Sequence, residues 1–344
     1  MNKHSILIIF TSIIFFSCKK DDNYIPENIS FNNPKIELKK PSYFPDFTEK
    51  NLENLPTKYG VELGKKLFHE KRLSGDNTIS CATCHIQKNA YADNNPQAIG
   101  IHGRRGLRNP PPIQNMIFLK YYMWDGAVTN LKEQPRIPIV TDEEMDSSVL
   151  RAINKIKNDP EYQILFQKAY KDGSINSYRM LESLAQYMLT LISANSKYDK
   201  IIRNEATFSP LEQEGFDIFN KKCISCHSGA LFTDQTFRNI GFPRNPDHIE
   251  EAGRGRFTGK KEDFFKFRVP SLRNIEYTAP YGSFGQFATL KDVLDFLSNE
   301  VINSDNLDPI LKNNGNKIPL TEKEKEALIA FMKTLSDKDF IEKK

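Results

Sequence analysis

This chain of 344 residues has a single tryptophan, five cysteines and no apolar run long enough to cross a bilayer. The longest such run, Ile6 to Phe16, spans 11 residues where a membrane helix needs about 20, so it is too short to span. Charge of one sign is not in excess either. The chain carries 48 Lys and Arg against 44 Asp and Glu, and a net charge of +4 gives no grounds for a nucleic acid or another polyanion as partner. With so few cysteines, each one can be accounted for.

Four of the five stand in two copies of Cys-x-x-Cys-His: Cys81-Ala82-Thr83-Cys84-His85 and Cys223-Ile224-Ser225-Cys226-His227. Two thiols at that spacing form thioethers to the vinyl groups of haem, and the adjacent imidazole takes the fifth position on iron. Each copy therefore reads as a c-type haem attachment site. The competing chemistry is one zinc held by four thiolates. Against it, each pair is followed directly by histidine, and 138 residues separate Cys84 from Cys223, far more than in a zinc ribbon. Two covalently bound haem c groups are expected.

The fifth cysteine, Cys18, closes a segment made of Lys3 and His4, the apolar run and Ser17, which is the layout of a secretory signal. Its Phe-Phe-Ser-Cys ending resembles a bacterial lipoprotein signal, in which Cys18 becomes the acylated N-terminus. The alternative is an ordinary signal with an incidental cysteine. Residues 1–17 are expected to be a lipoprotein signal peptide, and residues 18–44, which open polar and rich in Asn, Asp and Pro, a tether. An exported protein, periplasmic or in the cell envelope and lipid-anchored at Cys18, agrees with haem attachment, which for c-type cytochromes takes place outside the cytoplasm.

Beyond the signal, 327 residues are enough for two domains, and an internal repeat divides them. Gly64 to Phe68 and Gly215 to Phe219 each read Gly-x-x-aliphatic-Phe ahead of a haem motif, and Leu184 to Leu191 matches Leu328 to Leu335 beyond it. From His85 to Thr190 is 105 residues and from His227 to Thr334 is 107. Ser209 with Glu212 forms a capping box with Pro210 at the first helical position, and Thr321 with Glu324 repeats the box. Leu181, Leu184, Ala185, Met188, Leu191 and Ile192 follow the 3.6-residue period. Residues 86–147 and 228–288 are instead dense in Gly, Pro, Asn and Arg, and loops this long inside a domain are usually functional. The expected fold is mainly α, with two cytochrome c-like haem domains at 45–204 and 205–344, each running helix, haem motif, long loops and closing helix.

Further segments carry a resemblance: Arg108-Asn109-x-Pro111, Trp124-Asp125-Gly126, Leu131-x-x-Gln134, Glu144-Met145, Ser228-Gly229, Phe232-Thr233-Asp234, Pro270-Ser271-Leu272-Arg273-Asn274 and Thr278-Ala279-Pro280-Tyr281. With the two haem motifs and in this order, they make the chain similar to the bacterial di-haem cytochrome c peroxidase and MauG family across almost all of its mature length. The resemblance implies reduction of hydrogen peroxide at the haem on His85. Electrons would come from a small donor protein, a cytochrome c or cupredoxin, through the haem on His227. It places Trp124 between the haems, and Gln134 and Glu144 over the peroxide site as catalytic residues, where a carboxylate moves a proton between the two peroxide oxygens. Without it, Trp124 reads as a core anchor, Gln134 as surface, and Glu144, in Asp142-Glu143-Glu144, as a solvated helix start. It also implies a calcium between the domains held by the Asn109 side chain and the carbonyls of Thr278 and Pro280, hard oxygens that suit the ion. Asn109 alone equally reads as a turn residue before Pro110. Arg104, Arg105, Arg108, Arg254, Arg256, Arg268 and Arg273 suit haem propionates as a class, with solvated loop charge as the reading for most.

Two departures from the family pattern stand out. In the peroxidase branch a histidine sixteen residues past the first motif histidine caps the resting iron. Here that position is Ile101, with His102 one residue on, so the first haem is expected to be open, as in the MauG branch. At the second haem the family supplies Met or Tyr, whereas Leu297 stands there and cannot bind iron. No Met or Tyr lies between Thr289 and Val301. The leading reading is an exported di-haem peroxidase. A MauG-like protein-modifying oxidase and a non-catalytic electron-transfer cytochrome are the alternatives.

Overall fold

The computed structural model describes residues 31–342, so Cys18 and the expected signal peptide lie outside the described residues. Among those residues the chain is helix and loop, with one two-residue antiparallel pair, Phe237–Arg238 on Phe267–Arg268.

Each half is organised by the crossing of two helices. In the first, Lys58–Phe68 buries Gly60, Leu63, Gly64, Leu67 and Phe68, a stripe at three- and four-residue spacing, and packs on Ser177–Leu189. In the second, Pro210–Lys222 packs on Glu322–Lys333. Both crossings are close because glycine stands at the contact. A Cβ at Gly64 would lie 2.0 Å from the carbonyl oxygen of Ser183, and one at Gly215 would lie 1.9 Å from that of Ala327. Ser183 and Ala327 each stand one residue before the repeated Leu184 and Leu328, so the sequence repeat is the repeat of one helix–helix contact. The helix starts form as spaced: Glu212 accepts from the Ser209 amide at 2.6 Å and Glu324 from the Thr321 amide at 2.8 Å, each cap hydroxyl accepting in return.

The first core gathers Leu67, Phe68, Leu184 and Met188 with Ile153, Tyr162 and Phe166 of the helices Val149–Ile156 and Pro160–Ala169. The second is smaller and aromatic, around Phe219, Phe232 and Phe331. Where composition reads a tether, the chain is docked from Asn33 onward. Asn33 Nδ2 donates to Thr57 Oγ1 at 2.9 Å and to the Ala169 carbonyl at 2.8 Å, and Phe44 is only 4% exposed in the first core. The anchor is the aromatic pair Tyr43-Phe44, with Leu38 packed against the same core.

One buried ion pair ties the halves together. Arg273 donates from Nη1 and Nη2 to Asp199, on the connecting helix Lys197–Ile202, at 2.9 and 2.8 Å, with both side chains 0% exposed. Tyr43 donates to the same carboxylate at 2.8 Å, so its oxygens are satisfied, the condition under which a buried pair is tolerated. The last helix, Lys338–Glu342, leaves its own half and buries Phe340 in the first core. No described helix is long and apolar enough to cross a membrane.

Gly64→Ala and Gly215→Ala should each lower stability by about 1–3 kcal/mol, as expected when a methyl group is forced into close packing. The denaturant midpoint measures this. No shift in either variant would show that the helices separate without penalty.

Candidate active site and haem cavities

Cys81–Cys84 form a single helical turn capped by Ser80, whose amide donates to Thr83 Oγ1 at 3.0 Å. The turn delivers His85 with Nδ1 2.9 Å from the Tyr91 carbonyl, and in the second half His227 Nδ1 lies 3.1 Å from the Phe232 carbonyl. A carbonyl only accepts, so each Nδ1 carries the proton and each Nε2 lone pair is left for iron. Burial pushes both imidazole pKa values below their usual range, which keeps the rings neutral as ligands must be. Tyr91 and Phe232 hold φ of 60° and 53°, turning each loop back toward its own histidine. The four motif cysteines form no disulfide. Cys81 and Cys84 line one cavity, Cys223 and Cys226 another, so the two pairs do not converge on one zinc.

A buried cation tests whether haem fits these cavities. Arg268 lines both of them and is 9% exposed. Its Nε is buried without a hydrogen-bond partner, and no carboxylate pairs with it among the described residues. Burial pushes its pKa down to about 10. A lone buried guanidinium is costly, and a haem propionate is an anion of the right kind to neutralise it. The histidines, the thiols and this orphaned cation all fit haem. Of the loop arginines, Arg108 and Arg273 correct the solvated reading as well: Arg108 pairs with Asp125 at 2.7 Å and Glu251 at 2.9 Å, and Arg273 with Asp199.

The His85 cavity collects side chains that are far apart in sequence: Gln134, Pro135, Pro138 and Glu144 all line it. Glu144 is carried in by the close approach of two loops, where Ile101 N donates to its carbonyl at 2.8 Å. Gly100 makes this possible, since a Cβ there would lie 2.1 Å from the Glu143 carbonyl. Burial, with Glu143 adding its charge, pushes the Glu144 pKa up to about 7. Gln134 Nε2 lies 3.7 Å from Met123 Sδ. Ile101 is buried away from the cavity, and His102, at φ 55°, turns out to solvent with a 61% exposed side chain 3.8 Å from Asp76. Among the described residues, His85 is the one histidine lining this cavity.

The His227 cavity is walled by Ile240, Phe242, Val293, Leu294, Leu297 and Ile318. Trp124, Asn109, Pro112 and Arg268 line both cavities. Trp124 is locked in that shared wall: its Nε1 donates to the Asn109 carbonyl at 2.8 Å, and its own carbonyl accepts from Arg268 N at 2.7 Å. Arg268 as an individual was not singled out by sequence reasoning; its pairing with a distant strand brings it here, and no local spacing reports that. Asn109, Thr278 and Pro280 share the His227 cavity wall. Asn109 Nδ2 donates to the Asn95 carbonyl at 2.9 Å, and no donor among the described residues reaches Asn109 Oδ1 or the Thr278 and Pro280 carbonyls. These hard oxygens fit a calcium ion.

Two helix-crossed halves, each presenting Cys-x-x-Cys-His to its own cavity across a shared tryptophan, define a two-haem c-type oxidoreductase. Known proteins agree. The family described as di-haem cytochrome c peroxidase matches residues 58–207. The chain is 31% identical to the methylamine utilization protein MauG of Methylophilus methylotrophus, over 88% of this chain and 88% of the relative. It is 31% identical to the cytochrome c551 peroxidase of Pseudomonas aeruginosa, over 80% and 78%. A solved MauG-like protein associated with microbial copper homeostasis superposes with a TM-score of 0.81 at 29% identity, over 90% of this chain and 97% of that one. The chain belongs to the di-haem cytochrome c peroxidase and MauG family, a family of oxidoreductases that carry two c-type haems.

Protein made in a host that matures c-type cytochromes should keep haem stain through denaturing gels. Cys84→Ser and Cys226→Ser should each lose about one haem equivalent by pyridine haemochrome assay. Both haems retained in either variant would remove that motif from the attachment scheme.

Proposed function

We propose that this chain is an exported peroxidase that reduces hydrogen peroxide to two waters, with two electrons from a small redox protein, a cytochrome c or cupredoxin, and two protons. The observation that carries the reading is Glu144, a carboxyl with its pKa pushed up to about 7, on the same cavity wall as Gln134 and the motif histidine His85. When bound there, haem would supply the iron and the electrons at which the O–O bond breaks. Glu144 then has the chain's own part in the chemistry: its carboxylate takes the proton from one peroxide oxygen and gives it to the other, which leaves as water. Gln134 orients the peroxide through its amide. Pro135 and Pro138 add apolar surface to the same wall. Electrons cross from the His227 side by way of Trp124, whose ring borders both cavities.

In this reading residues 45–204 are the peroxidatic domain and 205–344 the electron-transfer domain. Asn109, Thr278 and Pro280 would hold a calcium where the domains meet, and Cys18 would anchor the protein to a membrane through lipid. A second reading, a MauG-like oxidase that modifies a protein, is favoured by one observation: among the described residues no second histidine lines the His85 cavity to cap its iron. Steady-state peroxide turnover with reduced cytochrome c separates the two, because the oxidase reading requires little of it.

Glu144→Gln should lower peroxide turnover by roughly 10²- to 10⁴-fold and leave both haem spectra nearly unchanged. A change within about a factor of two would move the proton-transfer role elsewhere. Because Glu144 must be ionised to accept a proton, kcat/KM for peroxide should fall as the pH drops through about 7. In the glutamine variant that limb of the profile should be flat.

A further inference from the structure

The two cavities share a wall segment in the same register, and its chemistry is reversed between them. An isolated bridge pairs Tyr122 with Val128 in the first half and Tyr281 with Phe287 in the second. Counting from these tyrosines, Gly126 and Gly285 coincide, with φ of 69° and 68°, and so do the buried Leu131 and Leu290. The same count places Gln134 on Val293, Pro135 on Leu294 and Pro138 on Leu297. All six line their cavities, the first three beside His85 and the second three beside His227. Continued, the count sets Glu144 against Asn303, which is exposed and outside the His227 cavity. One scaffold therefore carries an amide and a carboxyl toward its first cavity and a valine and leucines toward its second.

Arg268 and Asn109 stand on the part of the wall that the second cavity shares with the first, and the ionisable side chains peculiar to the second cavity are engaged. Tyr281 donates to the Ile275 carbonyl at 2.8 Å, Lys222 to Glu324 at 2.6 Å, and Asp308 accepts from Arg238 at 2.8 Å. Met332 sits on the closing helix at the repeat position of Met188, which lines the first cavity in the same way. We infer that the iron held by His227 is a binding site for a small neutral diatomic ligand, carbon monoxide or nitric oxide, under the control of Val293 and Leu297. Peroxide cleavage needs a group to relay a proton, which this wall lacks. A neutral diatomic ligand on reduced iron needs no proton transfer, and entering an apolar wall strips no hydrogen bonds from it. The inference rests on haem attachment at both motifs and not on the peroxidase reading.

Carbon monoxide titration of the dithionite-reduced, haem-loaded protein tests it. Two carbon monoxide molecules should bind per chain, giving two C–O stretching bands in the infrared. Val293→Gln should lower the frequency of one band and leave the other in place. Leu297→Met should reduce the stoichiometry to one and introduce a methionine-to-iron charge-transfer band in the oxidised protein. A single carbon monoxide bound by the unmutated protein overturns the inference, as do two bands that both ignore Val293→Gln. Loss of peroxide turnover with the two-to-one stoichiometry intact would count against the peroxidase reading alone.

Discussion

Two helix crossings at which backbone meets backbone carry the rest of this molecule. With Gly64 seated on the Ser183 carbonyl and Gly215 on that of Ala327, the leading helix of each half has one position available to it. Its last aromatic residue then stands beside the haem motif: the Phe68 ring lies 6.4 Å from that of His85, and Phe219 lies 5.7 Å from Phe232, whose carbonyl holds His227. A larger residue at either glycine would push the helices apart and loosen the histidine that the crossing aims. Crossing, aromatic buttress and oriented imidazole form one mechanical unit, built twice.

A cavity wall shared by two halves demands that the halves not shift. The buried seam supplies this. Beside the Arg273–Asp199 pair, Gln114 donates to the Arg273 carbonyl at 2.6 Å, Asn274 donates to Ser193 Oγ at 2.9 Å and to Gln114 Oε1, and Asp337 N donates to Asn274 Oδ1 at 2.7 Å. Asp337 in turn accepts from Ser193 Oγ at 3.1 Å. A polar network this completely paired admits few alternative arrangements, because any slip strands a buried donor or acceptor. That rigidity is what lets Trp124 and Arg268 border two cavities at once.

The same duplication shows how one scaffold holds two chemistries. The positions that bring Gln134 and Pro138 to one cavity bring Val293 and Leu297 to the other, so the register is common and the side-chain polarity differs, with Gln134 in a turn ahead of the helix Arg136–Val140 and Val293 already within the helix Leu290–Asn299. The acidic position has no acidic counterpart across the repeat: a glycine contact recurs, Gly241 on the Ile302 carbonyl as Gly100 on that of Glu143, but Asn303 stands at the register of Glu144 and is exposed.

Spacing within a few residues was legible without any structure. The Cys-x-x-Cys-His pairs, the capping boxes at Ser209 and Thr321 and the duplicated Gly-x-x-aliphatic-Phe elements all derive from local covalent geometry and helix periodicity, and they determined two haem motifs in two mainly helical halves. The resemblance to a family, not the residues alone, directed attention to Trp124, Gln134 and Glu144. Only the tertiary structure decided that Arg268 stands unpaired between the cavities, that Arg273 is buried rather than solvated, that Tyr43 and Phe44 dock the supposed tether, and that Val293 answers Gln134. Apart from Val293, which lies in the helix Leu290–Asn299, those residues sit in or beside loops without periodicity, and the place of each is set by partners tens to hundreds of positions away, a distance that no local pattern of residues encodes.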